Sequence, residues 1–284
     1  MLWVQRVPKG PLGSFVASIW LCERDPGPFR LERVLPNGAA QLIVNLKEDQ
    51  SRTYDCDSGQ ARVTVLPGAV VSGVRSWFCV IDTAEQESVA GVVFRPGGTT
   101  AFFRPPAHEM RDNHIPIEAL WGRRAAAELR ERLLEARGAQ AKLDAMELVL
   151  MEMLRWSSPD PAVAFSLDEL AGNASVSQIA EASGLSQKRL IERFKSAVGM
   201  PPKQYARLLR FQRVLSCVES GGAVDWAGVA LDCGYFDQAH FIHDFRAFSG
   251  ITPNFYRAAR TEFRNHVKFL QSGAAAGMAS SAHG

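Results

Sequence analysis

A helical pattern in the second half of the chain occurs twice, and this repeat limits what that half can fold into. The segment 179–185 (Ile-Ala-Glu-Ala-Ser-Gly-Leu) is matched in residue type by the segment 229–235 (Val-Ala-Leu-Asp-Cys-Gly-Tyr), fifty residues later. The apolar position Leu190 returns as Phe241, fifty-one residues later, so the offset changes by one between two helices. An internal repeat is the sequence signature of a duplicated structural unit. Two copies of one small helical module are therefore predicted.

Each module has the pattern of a helix, a short turn and a second helix. Gly184 is placed to end the first helix, because glycine adopts the left-handed conformation at low cost, and Ser186 is a suitable N-cap for the next helix. Gly234 and Asp237 take these two places in the second copy. A helix-turn-helix puts its second helix into the major groove of DNA. The structural residues of the modules, set at about 175–198 and 224–248, are predicted to be Ile179, Ala180, Gly184, Leu190, Phe194, Gly234, Phe241, Phe245 and Pro253.

The most specific motif lies at the end of the second module. It consists of Gly234-Tyr235, Asp237, His240-Phe241, Phe245-Arg246 and the run 250–257 (Gly-Ile-Thr-Pro-Asn-Phe-Tyr-Arg). These residues resemble the DNA-binding domain of AraC/XylS-family bacterial transcription regulators, and we set this domain at residues 159–262. The resemblance implies a seven-helix unit in which a long helix, about Pro202 to Ser220, links the two modules. It also implies a regulator with no catalytic residues and no cofactor.

Positive charge is concentrated in the first module. Between Ser186 and Arg213 a single acid, Glu192, accompanies eight basic residues, which are Lys188, Arg189, Arg193, Lys195, Lys203, Arg207, Arg210 and Arg213. No Lys or Arg occurs between Val214 and Phe245. Because phosphate neutralisation supplies most sequence-independent DNA affinity, the first module is expected to bind DNA more tightly than the second.

The resemblance places base contacts near the start of each second helix. In the first module they fall on Lys188, Ile191 and Glu192, side chains that can meet guanine, a thymine methyl group and the cytosine amino group. Many relatives have Arg where Glu192 stands, which puts the usual contact at that position in doubt. The corresponding base contacts of the second module are Gln238, Ala239 and His243. Backbone contacts are expected from Gln187, Arg189, Arg193, Lys195 and Arg246.

The residue pattern of residues 1–115 is typical of a β-rich domain. Gly and Pro recur every eight to twelve residues, with turns such as Pro36-Asn37-Gly38. Predicted strands are Phe15 to Cys22, Gln41 to Leu46, Ala61 to Leu66, Ser76 to Asp82 and Ser88 to Phe94. Short strands at this spacing suggest a small β-barrel or jelly-roll. In AraC-type regulators this half is often a cupin-like domain that binds a small effector or mediates dimerisation, and the run 33–38 (Arg-Val-Leu-Pro-Asn-Gly) is similar to such a sensor domain. The fold class is therefore α+β.

No metal site is predicted in the β-rich domain. A cupin-type site requires several His and a carboxylate, whereas the only histidines before residue 240 are His108 and His114, both predicted in a Pro-rich loop after the last strand. The run 94–98 (Phe-Arg-Pro-Gly-Gly) either ends a strand or offers an Arg to an acidic ligand. Four aromatic residues, Trp77, Phe78, Phe102 and Phe103, are expected in the core, where a barrel of this size could also hold one small ligand.

Residues 116–158 are predicted to form amphipathic helices, with Leu129, Leu133, Met146 and Leu150 among their apolar positions. These helices either pair with another chain or pack on the barrel of the same chain. The run 157–161 (Ser-Ser-Pro-Asp-Pro) reads as an inter-domain linker, and residues 271–284 as a disordered tail.

Composition is consistent with a reduced, intracellular protein. The five cysteines are scattered and form no C-x-x-C pair, which does not fit a disulfide framework. No apolar run approaches the roughly 20 residues that span a bilayer, so a cytoplasmic location without membrane contact is expected.

The sequence thus predicts a transcription regulator that binds double-stranded DNA through two recognition helices under control of an N-terminal sensor domain. Expected partners are DNA, a small effector, RNA polymerase if the protein is an activator, and a second copy if it dimerises. Two alternatives remain: a helical protein-interaction module that has lost DNA binding, and a catalytic protein that carries the helical half as an appendage. The acidic second module favours the first alternative, and the lack of a recognisable nucleophile or phosphate loop disfavours the second.

Overall fold

The computed structural model describes residues 1–25, 31–55, 62–155, 158–218 and 224–269. Within these ranges the N-terminal part forms two antiparallel sheets, and the C-terminal part is helical. The predicted tail 271–284, Cys56 and part of the predicted linker lie outside the described residues.

The first sheet has six strands and carries the larger share of the N-terminal core. In spatial order they are β1 (Leu2–Arg6), β2 (Val16–Glu23), β9 (Ser88–Phe94), β4 (Gln41–Asn45), β7 (Ala69–Ser72) and β10 (His114–Pro116). Val, Ile and Leu dominate these strands, as expected where one face of a sheet is covered. Short 3-10 turns at Gly10–Ser14, Thr83–Gln86 and Gly98–Ala101 join or follow them.

The second sheet has five strands, and its edge strand comes from the far end of the chain. In spatial order they are β11 (His266–Lys268), β3 (Leu31–Val34), β8 (Cys79–Asp82), β5 (Gln50–Asp55) and β6 (Arg62–Pro67). Val267 of β11 is buried and pairs with Arg33 of β3. The residues after the helical domain therefore complete a sheet of the N-terminal domain.

Four helices lie around strand β10 in sequence, the first before it and the other three after it. They are α1 (Ala107–Met110), α2 (Ile117–Trp121), α3 (Arg123–Glu135) and α4 (Ala139–Met153). Leu129 and Leu133 of α3 and Met146 and Leu150 of α4 are buried in one cluster with the first sheet. The inner faces of these helices therefore pack on the sheet of their own chain.

Seven helices form the C-terminal unit in the part of the chain that is described. They are α5 (Pro161–Ala171), α6 (Val176–Ala182), α7 (Gln187–Val198), α8 (Pro202–Cys217), α9 (Trp226–Asp232), α10 (Gln238–Ser249) and α11 (Pro253–Ala259). The long helix α8 links the two halves, and Phe211 at its centre is fully buried against Phe245 and Phe248 of α10. No helix in the described residues is long and apolar enough to cross a membrane.

The two domains share a core. Leu35 and Val74 of the N-terminal domain are buried in the same cluster as the C-terminal helices. Gly199, which ends α7 at φ 98°, lies so close to Val74 that a Cβ there would sit 2.4 Å from the Val74 Cγ1 atom. The Gln212 side-chain amide donates to the Pro36 carbonyl at 2.6 Å, which places the predicted Pro36–Gly38 turn at the domain interface.

The predicted α+β class is confirmed, with some differences in detail. The described strands form two open sheets with free edges rather than one closed barrel. Trp77 was expected in the core, but it is 36% exposed, because the strand predicted from Ser76 begins only at Cys79. His114 lies in strand β10 rather than in a loop. The run 94–98 ends strand β9, and its Arg95 donates to the Gly13 carbonyl.

Candidate functional site

The first helix-turn-helix module is built from α6 and α7. Ser175 and Gln178 form a reciprocal capping box at the start of α6. Gly184 then adopts φ 66°, which allows the chain to turn, and the Ser186 hydroxyl accepts from the Arg189 amide to start α7. Ile179, Ala180, Leu190 and Phe194 are buried in the shared core. These caps fix where α7 begins and which face it exposes.

The second module, α9 and α10, has the same plan with one residue added in the turn. Gly234 adopts φ 83°, and the Asp237 carboxylate accepts from the His240 amide at 2.7 Å to start α10. Tyr235 is buried as the counterpart of Leu185, but Phe236 has no counterpart and is 87% exposed. Phe236 is therefore the insertion that changes the repeat offset from fifty to fifty-one.

The outer faces of α7 and α10 hold all the side chains predicted to touch DNA. On α7, Ile191 and Arg193 are half-buried, and the exposed residues are Gln187, Lys188, Arg189, Glu192 and Lys195. On α10 the four predicted residues Gln238, Ala239, His243 and Arg246 are all exposed, as are His240 and Ala247. The buried Phe241 and Phe245 lie on the opposite face of α10, and Pro253 starts α11 behind it. Each recognition helix thus presents a polar face of about three turns.

Half of the eight basic residues in the 186–213 stretch are engaged within the protein. Arg193 pairs with Asp160, the N-cap of α5, at 2.8 Å. Arg210 lies over the Tyr235 ring at 5.4 Å, and Arg213 donates to Asn173 at 2.7 Å. Arg207 forms a bidentate salt bridge with Asp244, in which Nη2 donates to Oδ1 at 2.6 Å and Nε donates to Oδ2 at 3.2 Å. Charge counted along the sequence therefore overstates the charge offered to DNA.

Asp244 is a structural acid of the second recognition helix. Its side chain is buried, and burial alone would raise its pKa, but the hydrogen bonds and charge of Arg207 hold the pKa below its usual range. The carboxylate therefore stays ionised and ties α10 to α8. Because this acid is buried and paired with Arg207, it adds little negative charge to the exposed face of α10.

A cavity of about 610 Å³ lies between the two sheets of the N-terminal domain. One side of the cavity is lined by Trp3 and Trp20, whose ring centroids are 5.2 Å apart in a stacked arrangement. Residues Phe263 to His266, which follow α11, form another part of its wall. Trp20 fits because Gly91 has no side chain: a Cβ there would lie 2.3 Å from the Trp20 ring. Burial, with the nearby charge of Arg75, lowers the pKa of His114 in this cavity to about 4.

The sequence analysis missed three features: the exposed Phe236, strand β11 and the cavity residue Arg75. For Phe236 a signal was present, because the repeat offset changes by one residue there. The run of β-type residues around Val267 was too short to suggest a strand. No pattern marked Arg75 as a cavity residue. In the described residues, no group of three or more His, Cys, Asp or Glu side chains is placed to hold a metal ion.

Comparisons with known proteins bear on both domains. Residues 179–259 match a family described as a helix-turn-helix domain, and residues 5–116 match a domain of unknown function, DUF6597. A search of curated proteins finds no match.

Three bacterial proteins of solved structure are among those that match parts of this chain. An AraC-type regulator from Chromobacterium violaceum is 26% identical over 34% of this chain and 90% of that chain, with a TM-score of 0.32. A DNA-binding transcriptional dual regulator from Escherichia coli K-12 is 24% identical over 34% of this chain and 86% of that chain, with a TM-score of 0.28. ToxT from Vibrio cholerae with a bound unsaturated fatty acid is 9% identical over 84% of this chain and 94% of that chain, with a TM-score of 0.45.

Two capped helix-turn-helix modules on one helical frame, each with an exposed recognition face, define a DNA-binding protein. The family match over residues 179–259 agrees with the motif at residues 234–257. The chain is therefore a DNA-binding regulator whose helix-turn-helix domain, at residues 179–259, is similar to that of AraC-type regulators, and its residues 5–116 form a DUF6597 domain.

Proposed function

We propose that the protein reads an operator by placing α7 and α10 in two successive segments of the major groove. Base contacts come from Lys188, Ile191 and Glu192 in the first segment. Those in the second come from Gln238, Ala239 and His243. The observation that carries this proposal is that these side chains lie on the outer faces of two helices whose starting points are fixed by caps. Modules of this kind contact sites about one helical turn, roughly 10 base pairs, apart.

Backbone contacts come from residues at the edges of the same faces. Gln187, Arg189 and Lys195 on α7 are exposed, as is Arg246 on α10. These side chains can therefore reach the DNA phosphates without breaking a hydrogen bond or ion pair to another described residue. Arg193 is different, because it is bonded to Asp160. For Arg193 to bind a phosphate, it has to exchange this partner, so it contributes less than the other basic residues of α7.

Phe236 is a further contact of the second module. It precedes the N-cap of α10 and is 87% exposed, which is unusual for a large apolar side chain. An apolar residue at the start of a recognition helix can contact the methyl group of thymine. We place Phe236 against the edge of the second groove segment, where it offsets the scarcity of cations in that module.

The N-terminal domain controls this binding through a small effector in its cavity. The effector touches the wall formed by residues 263–266, which directly follow the DNA-binding helices. If the regulator activates transcription, RNA polymerase is its partner at the promoter. A second copy binds through the exposed apolar side chains of α3 and α4, such as Leu134 and Leu148.

Selection of bound DNA from a random pool with the full chain tests the proposal. We expect a recovered site with two blocks about one helical turn apart. Lys188→Ala should relax the first block and Gln238→Ala the second, while Lys9→Ala, which removes an equal charge from the N-terminal domain, should change neither. Recovery of one block that only Lys188→Ala affects would mean that the second module does not read bases.

The alternative of a protein-interaction module makes a different prediction for the same experiment. The exposed Leu231 and Phe236 beside α10 are the observation that favours it. A folded chain that enriches no sequence at any salt concentration would support this alternative. A DNA-binding protein instead loses affinity steeply as the salt concentration rises.

A further inference from the structure

We propose that the cavity between the two sheets binds a small organic anion whose charged group pairs with the guanidinium of Arg75. This proposal rests on the proposed role of the cavity as the effector site, and it names the chemical class of the effector. It is carried by the charge of the cavity wall, by the lack of a partner for Arg75, and by the aromatic surface beside it.

The wall of the cavity carries positive charge without a carboxylate. Three arginines, Arg24, Arg75 and Arg264, and two histidines, His114 and His266, line it, and no Asp or Glu is among its described lining residues. Glu32, which is not a lining residue, lies 3.7 Å from Arg24 and 3.0 Å from His266, so among the described residues the positive charge left without a counterion is that of Arg75 and Arg264. An anion would be attracted, because a concave wall of low polarisability concentrates the field of its charges.

Arg75 is the charge in this wall that is available to a ligand. Arg24 lies 3.7 Å from Glu32, and Arg264 donates to the Ser216 hydroxyl at 2.6 Å. Arg75 has no hydrogen bond or ion pair with any described residue, and its Nε atom is buried without a partner. A buried donor on a charged group costs free energy unless a ligand accepts from it. A carboxylate, sulfonate or phosphate fits the planar donor pattern of a guanidinium.

Aromatic rings in the wall of the same cavity define the rest of the ligand. Trp3 stacks on Trp20, and Phe263 lies 5.4 Å from Trp3. His114 is neutral at pH 7, since its pKa is about 4, so it can share a hydrogen bond without adding charge. The volume of about 610 Å³ is that of a site for a ligand of one to three rings or an equivalent apolar chain. The ligand is therefore an acid with an apolar, flat or flexible body.

Two fluorescent probes with nearly the same ring system separate the anionic part from the apolar part. The anion 8-anilinonaphthalene-1-sulfonate carries a sulfonate that its neutral analogue N-phenyl-1-naphthylamine lacks. Each is titrated into the full-length protein, the Arg75→Gln and Arg75→Lys variants, and the control Arg124→Gln, which removes an exposed arginine of α3 outside the cavity. Circular dichroism checks that each variant is folded.

We expect one anion to bind per chain and Arg75→Gln to weaken it by about tenfold or more, the size of a lost charge-assisted hydrogen bond. The neutral probe should bind all variants alike, Arg75→Lys should retain part of the preference for the anion, and Arg124→Gln should behave as the wild type. The proposal is overturned if the wild type does not bind the anion, or if folded Arg75→Gln binds it as tightly as the wild type does.

DNA affinity, measured with and without the anion, distinguishes the two proposals. Loss of the Arg75-dependent site while DNA selection succeeds removes this inference and leaves DNA reading intact. An Arg75-dependent site whose occupation leaves DNA affinity unchanged overturns the effector role of the cavity on which the inference rests.

Discussion

Arg207→Ala should lower the stability of the fold. In the sequence, Arg207 belongs to the basic stretch 186–213 from which DNA affinity is expected. Its guanidinium holds both oxygens of Asp244, at 2.6 and 3.2 Å, and Asp244 is only 1% exposed. In the variant this carboxylate would remain buried on α10 without its partner. The substitution therefore destabilises the folded protein itself, in addition to any effect on its affinity for DNA.

The size of the effect follows from the surroundings of the pair. Removing one partner of a buried ion pair costs about 3–5 kcal/mol. The Arg207 side chain is 34% exposed, and the rings of His240 and His243 lie 3.7 and 3.6 Å from the carboxylate, so water and the two histidines recover part of this cost. We expect a loss of about 2–3 kcal/mol in the free energy of unfolding, or roughly 3–5 °C in Tm for a chain of 284 residues.

Urea unfolding followed by circular dichroism measures this loss. Arg189→Ala, which removes an exposed arginine from α7, is the control and should change stability by less than about 0.5 kcal/mol while weakening DNA binding. The double variant Arg207→Met with Asp244→Leu should recover much of the stability, because apolar residues can replace a buried pair. A single Arg207→Ala variant as stable as Arg189→Ala would refute the structural role assigned to the pair.

Three further predictions concern the insertion, the cavity and the last strand. Phe236→Ala should weaken DNA binding severalfold at unchanged Tm, since the side chain is 87% exposed; a fall in Tm by several degrees would show that it packs in the fold. The pKa of His114 is about 4 in the folded chain and 6.5 in the unfolded chain, so between these pH values only the unfolded chain takes up a proton. Acidification through this range therefore lowers the free energy of unfolding by up to about 3 kcal/mol. His114→Gln should flatten this part of the stability–pH curve, and an unchanged slope would contradict it. Val267→Asp should cost about 2–4 kcal/mol by burying an unpaired charge, and hydrogen exchange should show lost protection at Arg33, its strand partner; unchanged protection there would mean that the strand does not depend on this side chain.

The helical half could be predicted from the sequence because its signals are local. Glycines at the turns, Ser186 and Asp237 at the caps and apolar residues at helical spacing each act within one or two turns of helix. The first recognition helix therefore begins at Gln187, one residue after the expected cap. Which arginines face DNA was not predictable, because the partners of Arg207 and Arg193 lie more than thirty residues away in sequence.

The β-rich half was predicted in outline but not in pairing. Strands β2, β4 and β9 agree closely with the expected segments because their apolar runs are long, whereas β7 and β10 have only four and three residues. Strand pairing depends on contacts between distant segments, which local patterns do not encode. The pairing of His266 with Val34, across most of the chain, is the extreme case.

The segment after α11 connects the helical domain to the cavity of the N-terminal domain. At its start, the Tyr256 hydroxyl, from a fully buried ring of the helical core, donates to the Arg264 carbonyl at 2.8 Å. At its end, Val267 completes the second sheet, and between them Phe263 and Asn265 form the cavity wall. A ligand can shift the arrangement of two domains only by its difference in affinity for the two arrangements. The helical domain cannot move away from the second sheet without moving this segment, and the segment is part of the cavity wall. A ligand held against the wall therefore has a different affinity for each arrangement of the two domains.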